Sequence, residues 1–336
     1  MCVTEEFESA ARAITKFHYV DDYIDSCDTP QQAIILAKEV KKVHSRGGFH
    51  IHKWCSNHKE VVADLNGCAE QEEKEFYNNE EIHSFEIILD MQWSPSQDAF
   101  TYALRFDRLK RNIFKKNIVP TKREVLQVLM SVFDPMGFVS CIMMYFKILL
   151  QNIWRTKMGW DDELPPELYN QWNLWLSYLP LISQVPIPRL YFENGTPEDC
   201  STQLHIFFDA GEEAYAALAN FRIQFQGIIT VCLVSAKSKV APVRPLSIPR
   251  MELQSSLTGA RLFRDIKAQH DIKFTETHLW TDSSVLAWLN GDPRNYQQFV
   301  MFRVAEISEL PDVNHRRWVP SKHNIADVAT SWTRGV

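Results

Sequence analysis

The 336-residue sequence lacks the marks of secreted and membrane-spanning proteins. Its seven cysteines are scattered and no two form a Cys-x-x-Cys pair, which indicates reduced thiols inside the cell. No apolar run reaches the roughly 18 residues of a transmembrane helix, and no signal-peptide pattern opens the chain. We therefore expect an intracellular protein, cytoplasmic or nuclear, with no membrane partner.

The sequence also lacks a strong positive charge. Its net charge is -6 and its pI is near 6.0, which argues weakly against nucleic-acid binding, because local patches matter more than the sum. The only dense basic stretch, residues 105–123, follows an acidic stretch over residues 69–86. Two interpretations stay open: it can track a phosphate backbone, or it can be a solvated loop that offsets the acidic stretch.

What the sequence does contain is the composition of a soluble globular protein, with 45% hydrophobic and 23% charged residues. Its length predicts about two or three domains. Near the start, two adjacent acids, Asp21 and Asp22, stand between β-forming residues and predict a hairpin turn. Such a turn is either an ordinary exposed one or a cation site. A helix that begins at Pro30, with Thr29 as its cap, follows.

A strand pair is predicted over residues 49–57. Residues of the types that bind zinc lie in and just after it, namely His50, His52, Cys55 and His58. No second ligand pair follows at zinc-finger spacing, so the sequence does not favour a zinc site.

Residues 121–200 have a helical pattern. Thr121 and Glu124 form a capping box, and helices are predicted at about 139–155 and from Pro166. Beyond residue 201 the pattern changes to a compact α/β unit. Strands are predicted at 203–209, 213–222, 227–236, 277–281 and 316–320, with helices at 249–267, from near 283, at 297–310 and from about 324. This order implies a mixed sheet with helices packed on it.

Four carboxylates in this last region stand where an acid is awkward. Asp209 and Asp282 each close an apolar strand, Glu252 opens a helix, and Asp327 begins another. Acids at strand ends and helix starts converge easily on one sheet edge, where divalent cations would neutralise them. Spacing alone leaves two interpretations open: a two-metal phosphodiester-cleaving site, or four unrelated solvated acids.

Seven motifs follow one another along the chain: His18-Tyr-Val-Asp-Asp-Tyr-Ile-Asp25, Pro120-Thr-Lys-Arg-Glu-Val125, Phe133-Asp-Pro-Met-Gly-Phe138, Ala236-Lys-Ser-Lys-Val-Ala-Pro242, Leu246-Ser-Ile-Pro-Arg-Met-Glu-Leu253, Trp280-Thr-Asp-Ser283 and Trp318-Val-Pro-Ser-Lys-His-Asn-Ile-Ala-Asp327. In these residues and in their order, the whole chain resembles the Pol proteins of BEL/Pao-type LTR retrotransposons. The resemblance implies an α+β and α/β multidomain chain. It comprises a truncated reverse-transcriptase palm (1–66), a β-hairpin and basic connection (67–120), a helical thumb or connection (121–200) and a ribonuclease H-like domain (201–336).

The resemblance implies that Asp209, Glu252 and Asp282 hold two Mg²⁺ ions, with Asp327 as the fourth ligand, and that the substrate is the RNA strand of an RNA–DNA hybrid. Ser283 and Asn324 either contact the sugar-phosphate backbone or cap helices. His315 and His323 are candidates for a mobile histidine near the metals. The sequence departs from the family's Ala-Asp-x-x-Thr/Ser-Arg ending, because Ser331 and Trp332 precede Arg334.

The resemblance also assigns Asp21 and Asp22 to the metal-binding turn of a polymerase. That site needs a third carboxylate from an earlier strand, so we expect no polymerase activity from this chain unless other Pol segments supply the missing palm and fingers. Families of this kind also carry a peptidase label, but no Asp-Thr/Ser-Gly triplet occurs here. The alternative to an active nuclease is a non-catalytic remnant that binds nucleic acid or a partner.

Overall fold

The structure, a computed structural model, describes residues 7–19, 22–66, 86–88, 91–106, 109, 112–115, 118–192, 195–309 and 316–330. Contacts divide the chain into two compact units. The first consists of residues 1–103 with 186–189, and the second consists of residues 104–185 with 190–336. The acidic stretch 69–85, Asp21, His315, Arg334 and part of the basic stretch lie outside the described residues.

The described helices are α1 (Glu8–Lys16), α2 (Pro30–Arg46), α3 (Lys59–Asn66), α4 (Lys122–Met130), α5 (Ser140–Arg155), α6 (Pro166–Ile182), α7 (Ile248–Gln269), α8 (Leu286–Leu289) and α9 (Gln298–Ser308). The described strands are β1 (His18–Tyr19), β2 (Asp22–Tyr23), β3 (Glu86–Ile88), β4 (Met91–Ser94), β5 (Ala99–Tyr102), β6 (Ile187–Pro188), β7 (Ser201–Ala210), β8 (Ala214–Phe225), β9 (Ile228–Val240), β10 (Glu276–Thr281) and β11 (Arg316–Trp318). None of these helices combines the length and apolar character that a membrane crossing needs.

In the first unit, α1 packs on α2 through small and β-branched side chains such as Ala10 and Val40. Thr29 caps α2 as predicted, because its hydroxyl accepts from the backbone N–H of Gln32. The strand pair predicted over residues 49–57 is wrong, since that segment contains no strand. The side chain of Asn66 instead bonds both backbone groups of Trp54, which a partner strand would otherwise have taken.

A small antiparallel sheet of order β3-β4-β5-β6 completes this unit. Its last strand, β6, lies far along the chain from β5, with which it pairs. Arg189 fixes that strand, because its guanidinium donates two hydrogen bonds of 2.6 and 2.7 Å to the carboxylate of Asp98. The indole of Trp93 donates to the same carboxylate, so a charge-assisted network closes the sheet.

In the second unit, α4 begins at the predicted capping box, with both hydrogen bonds between Thr121 and Glu124 present. Helices α5 and α6 enclose Phe146 and Trp175, whose rings stack with centroids 3.9 Å apart. Trp172 and Trp175 are fully buried. These tryptophans therefore belong to a core and cannot stack with nucleic-acid bases.

The main sheet has the order β11-β10-β7-β8-β9. Strands β7, β8 and β9 form an antiparallel meander, whereas β10 runs parallel to both β7 and β11. Helix α7 packs on one face, where alternate residues of β7 such as Ile206 and Phe208 are buried. Gly259 permits this close approach, because a β-carbon there would lie only 3.0 Å from the ring of Phe208.

The Asp134-Pro-Met-Gly segment joins the helical region to the edge of this sheet. The carboxylate of Asp134 accepts the backbone N–H groups of Gly137, Phe138 and Val139 ahead of α5. The carbonyl of Met136 accepts from the backbone N–H of Ala236 at 2.7 Å. Contacts thus place α4 to α6 in one unit with the sheet, and the boundary between residues 200 and 201 stays a prediction.

Gly137 tests the importance of this docking segment. It has a φ of +80°, and a β-carbon there would collide with the backbone carbonyl of Ala236. We predict that Gly137→Ala lowers the free energy of unfolding by about 3 kcal/mol or more, since strain and overpacking add. Urea denaturation followed by circular dichroism measures the loss.

Gly227→Ala is the matched control, because Gly227 has a similar φ of +85° but open space around it. It carries only the left-handed backbone cost of about 1–2 kcal/mol. Equal losses in the two variants would show that the Met136–Ala236 contact adds nothing to stability.

Candidate active site

Two of the predicted acids lie at the carboxyl ends of adjacent parallel strands, at matching positions in the register. Phe207 of β7 pairs with Trp280 of β10, and Asp209 and Asp282 each follow two residues later. Because side chains alternate between faces with a period of two, both carboxylates point to the same face of the sheet. Neighbouring strands lie about 5 Å apart, so the register alone brings these two acids together.

Glu252 reaches the same place from α7. The backbone N–H of Ala210 favours the charged form of both Glu252 and Asp209, so both carboxyls lie beside one amide. Glu252 is only 7% exposed, and its Oε2 is buried without a hydrogen-bond partner among the described residues. Burial, and then the negative charges of Asp209 and Asp282, raise the pKa of Glu252 to about 8.

Asp327 lies in a 3₁₀ segment, Ile325–Ala329, that packs on β7, β8 and α5. The sequence predicts an α-helix from about residue 324, and the described part of that prediction is this 3₁₀ turn. Burial raises the pKa of Asp209, and the charges of Asp282 and Asp327 raise it further. The four predicted acids therefore interact electrostatically at one edge of the sheet.

The carboxylate oxygens of this site suit a hard divalent cation, although the side chains are not arranged as a complete set of metal ligands. Across the described ranges, no three His, Cys, Asp or Glu side chains are grouped so that they could hold a metal ion. The available atoms are carboxylate oxygens, which Mg²⁺ prefers. A buried carboxylate oxygen without a partner, among like charges, is a group that a cation would satisfy. The residues present therefore fit Mg²⁺ by chemistry and location.

The remaining predicted residues differ in their surroundings. Ser283 accepts from the backbone N–H of Val285 at 3.1 Å in the turn before α8, without capping that helix. Asn324 accepts from the backbone N–H of Ala326 at 3.2 Å and so caps the 3₁₀ segment. Asn324 is only 3% exposed. His323 is exposed in a short 3₁₀ turn. Contact of these residues with substrate stays a prediction.

Two residues that the sequence analysis did not assign also bond to the acidic site. The hydroxyl of Thr330 donates a short hydrogen bond to Oδ2 of Asp209. The indole of Trp318 donates to the backbone carbonyl of Asp282 at 3.1 Å. The signal for Thr330 was its place in the Ala-Asp-x-x-Thr/Ser ending of the family.

The residues that the resemblance assigns to a polymerase turn belong to the first unit. Tyr19 pairs with Asp22, which begins β2 and is exposed, and Asp21 lies outside the described residues. Asp22 lines a cavity of about 830 Å³. The zinc-type residues of the sequence line it too, namely His50, His52, Cys55 and His58. They form no metal-holding group within the described part of the chain.

The strand order, with three antiparallel strands followed by a helix and two parallel strands, is that of the ribonuclease H-like fold. Residues 121–283 match the family model for the Pao retrotransposon-like RNaseH-like domain. This match confirms the resemblance to BEL/Pao-type Pol proteins for the part of the chain that it covers. The match includes Asp209, Glu252 and Asp282 and ends before Asp327. The palm and thumb assignments stay predictions.

Solved structures give weaker likenesses. The N-terminal RNase H domain of rv2228c from Mycobacterium tuberculosis, solved as a fusion with maltose binding protein, is 15% identical over 39% of this chain and 91% of its own, with a TM-score of 0.27. RNase H1 from Halobacterium salinarum is 11% identical over 38% of this chain and 90% of its own, with a TM-score of 0.25.

Prototype foamy virus protease-reverse transcriptase is 11% identical over 99% of this chain but 49% of its own, with a TM-score of 0.27. A search of curated proteins found no match.

The raised pKa of Glu252 predicts a pH-dependent stability. Between pH 4.5 and about pH 8, Glu252 keeps its proton in the folded protein but has lost it in the unfolded chain. The free energy of unfolding therefore falls as the pH rises through this window. Glu252→Gln removes the cost of burying a negatively charged carboxylate at this position. In EDTA and above about pH 8, we predict that it is more stable than the wild type, by on the order of 3 kcal/mol. The gain should vanish near pH 4.

Urea denaturation across this pH range measures the difference. Glu306→Gln is the control of opposite sign, because its bond to Arg261 lowers the pKa of Glu306. That variant should lose stability at high pH. A Glu252→Gln variant that shows no gain at high pH would contradict the burial of a charged carboxylate at this position.

Proposed function

We propose that the chain is a Pol-derived nuclease whose ribonuclease H-like part cleaves the RNA strand of RNA–DNA hybrids with Mg²⁺. One observation carries the proposal. Asp209 and Asp282 lie at matching positions at the ends of neighbouring parallel strands. The carboxylate of Glu252 is buried beside them, and its Oε2 has no hydrogen-bond partner among the described residues. Such a charge cluster is costly without cations. The match of residues 121–283 to the Pao RNaseH-like family model supports the same reaction.

The chemistry divides between the cations and the protein. Bound Mg²⁺ would supply the positive charge that activates a water and stabilises the leaving 3′ oxygen. Asp209, Glu252, Asp282 and Asp327 would hold that charge. The buried setting of Asp209 and Glu252 strengthens every electrostatic interaction at the site, because water is excluded from that side.

The substrate follows from the family resemblance and from one physical constraint. A hybrid duplex is recognised by its shape, its phosphates and its 2′-hydroxyls, because side chains cannot read its deep groove. Asp282 and Asp327 are only half-buried, which leaves the site open to a backbone phosphate on that side. Other Pol segments are proposed partners that would complete the polymerase turn at Asp21 and Asp22.

A cleavage assay on a labelled RNA–DNA hybrid tests the proposal. We predict Mg²⁺-dependent endonucleolytic cleavage by the full chain. Asp282→Asn should lower the rate about 100-fold or more, because losing a metal ligand removes several kcal/mol of transition-state stabilisation.

Asp265→Asn is the matched control. Asp265 is an exposed acid on α7 that bonds Arg264, and its substitution should leave the rate near that of the wild type. A wild-type chain that binds the hybrid but never cleaves it in Mg²⁺ would contradict the proposal, and would leave the non-catalytic remnant.

A further inference from the structure

The two ends of one short segment bond to the two strand-end acids. The segment runs from Asn324 to Thr330 and carries Asp327 within it. The side chain of Asn324 donates to Oδ1 of Asp282 at 3.0 Å. The hydroxyl of Thr330 donates to Oδ2 of Asp209. Three of the four acids are therefore tied to a single stretch of backbone.

The amide of Asn324 can take only one orientation. Its nitrogen donates to Oδ1 of Asp282 and to the carbonyl of Phe208 at 3.2 Å, and its oxygen accepts from the N–H of Ala326. A flipped amide would set its oxygen against two acceptors and its nitrogen against a donor. Because Phe208 precedes Asp209, this one side chain links the end of β7 to Asp282.

Thr330 is equally constrained. It is 6% exposed, and its backbone N–H and hydroxyl both lie within hydrogen-bond distance of the carbonyl of Asp327. A threonine hydroxyl has one proton, and a carboxylate accepts it more strongly than a carbonyl does. The proton therefore points to Asp209.

Both donors are neutral, and this has a consequence for cation binding. A lysine or arginine in either place would neutralise the carboxylate and compete with a metal ion. An amide and a hydroxyl fix the orientation of one oxygen and leave the negative charge in place. Asn324 and Thr330 do not bond the other oxygens of these carboxylates, Oδ2 of Asp282 and Oδ1 of Asp209.

We propose that Asn324 and Thr330 are positioning residues that hold Asp282 and Asp209 in the orientation that binds divalent cations. The proposal rests on the proposed function in placing the cations at these acids. It assigns Asn324 a role inside the protein rather than on the substrate, in agreement with its burial. Outer donors of this kind contribute about 10–100-fold to metal affinity or activity in other metal sites.

The test measures Mn²⁺ binding to the full chain by the electron paramagnetic resonance signal of free Mn²⁺, which needs no activity. Asn324→Ser keeps a residue that caps helices well but is too short to reach Asp282. Thr330→Val keeps the shape and removes the hydroxyl. We expect both to weaken Mn²⁺ binding about 10–100-fold. Thr330→Ser, which retains the hydroxyl, should bind Mn²⁺ as the wild type does.

Thr202→Val is the matched control. Thr202 is a fully buried threonine on β7, the strand of Asp209, and its hydroxyl has no partner among the described residues. Its substitution should leave Mn²⁺ binding unchanged. Urea midpoints in EDTA show whether each variant is folded, so that a loss of Mn²⁺ binding by a folded Asn324→Ser or Thr330→Val chain reports on positioning.

The outcomes separate this inference from the proposed function. If the wild type cleaves hybrids but folded Asn324→Ser and Thr330→Val bind Mn²⁺ within about twofold of it, well short of the usual effect, the positioning role is wrong and the nuclease stands. If the wild type binds Mn²⁺, both variants lose it, and no hybrid is cleaved, the positioning role stands and the proposed function fails. A wild type that binds no Mn²⁺ overturns the positioning role.

Discussion

The repulsion among carboxylates at one edge of the main sheet is the constraint on which the site depends. Burial and like charge together raise the pKa of Glu252 to about 8 and also raise the pKa of Asp209. A protein with no use for such a cluster would place these acids in water. The parallel register of β7 and β10 and the close packing of α7 at Gly259 bring the acids together despite that cost.

The helical region packs against β9, the strand at one side of the same sheet. The carbonyl of Met136 bonds the backbone of Ala236 and the hydroxyl of Ser235, so part of the outer edge of β9 is paired. Gln151 of α5 donates to the carbonyl of Ala241 just beyond the strand. The family match begins at residue 121 and includes these helices. We infer that they support the sheet that carries the acids.

The sequence predicted the parts of the fold that depend on neighbours along the chain. The capping box of Thr121 and the strands that lead to Asp209 and Asp282 are local patterns, and all are present. The strand pair at residues 49–57 was wrong because Asn66, which bonds the backbone of Trp54, is remote in sequence. The hydrogen bonds of Asn324 and Thr330 to these acids were not predicted either, since their partners lie more than 40 residues away, although the Ala-Asp-x-x-Thr/Ser ending marks Thr330.

The central claim is that these four acids form a site for divalent cations. Anomalous diffraction from crystals grown or soaked in Mn²⁺ tests it most directly. The account predicts anomalous peaks among the carboxylates of Asp209, Glu252 and Asp282, with Asp327 adjacent. Mn²⁺ bound elsewhere on the protein, with no peak among these carboxylates, would contradict the claim.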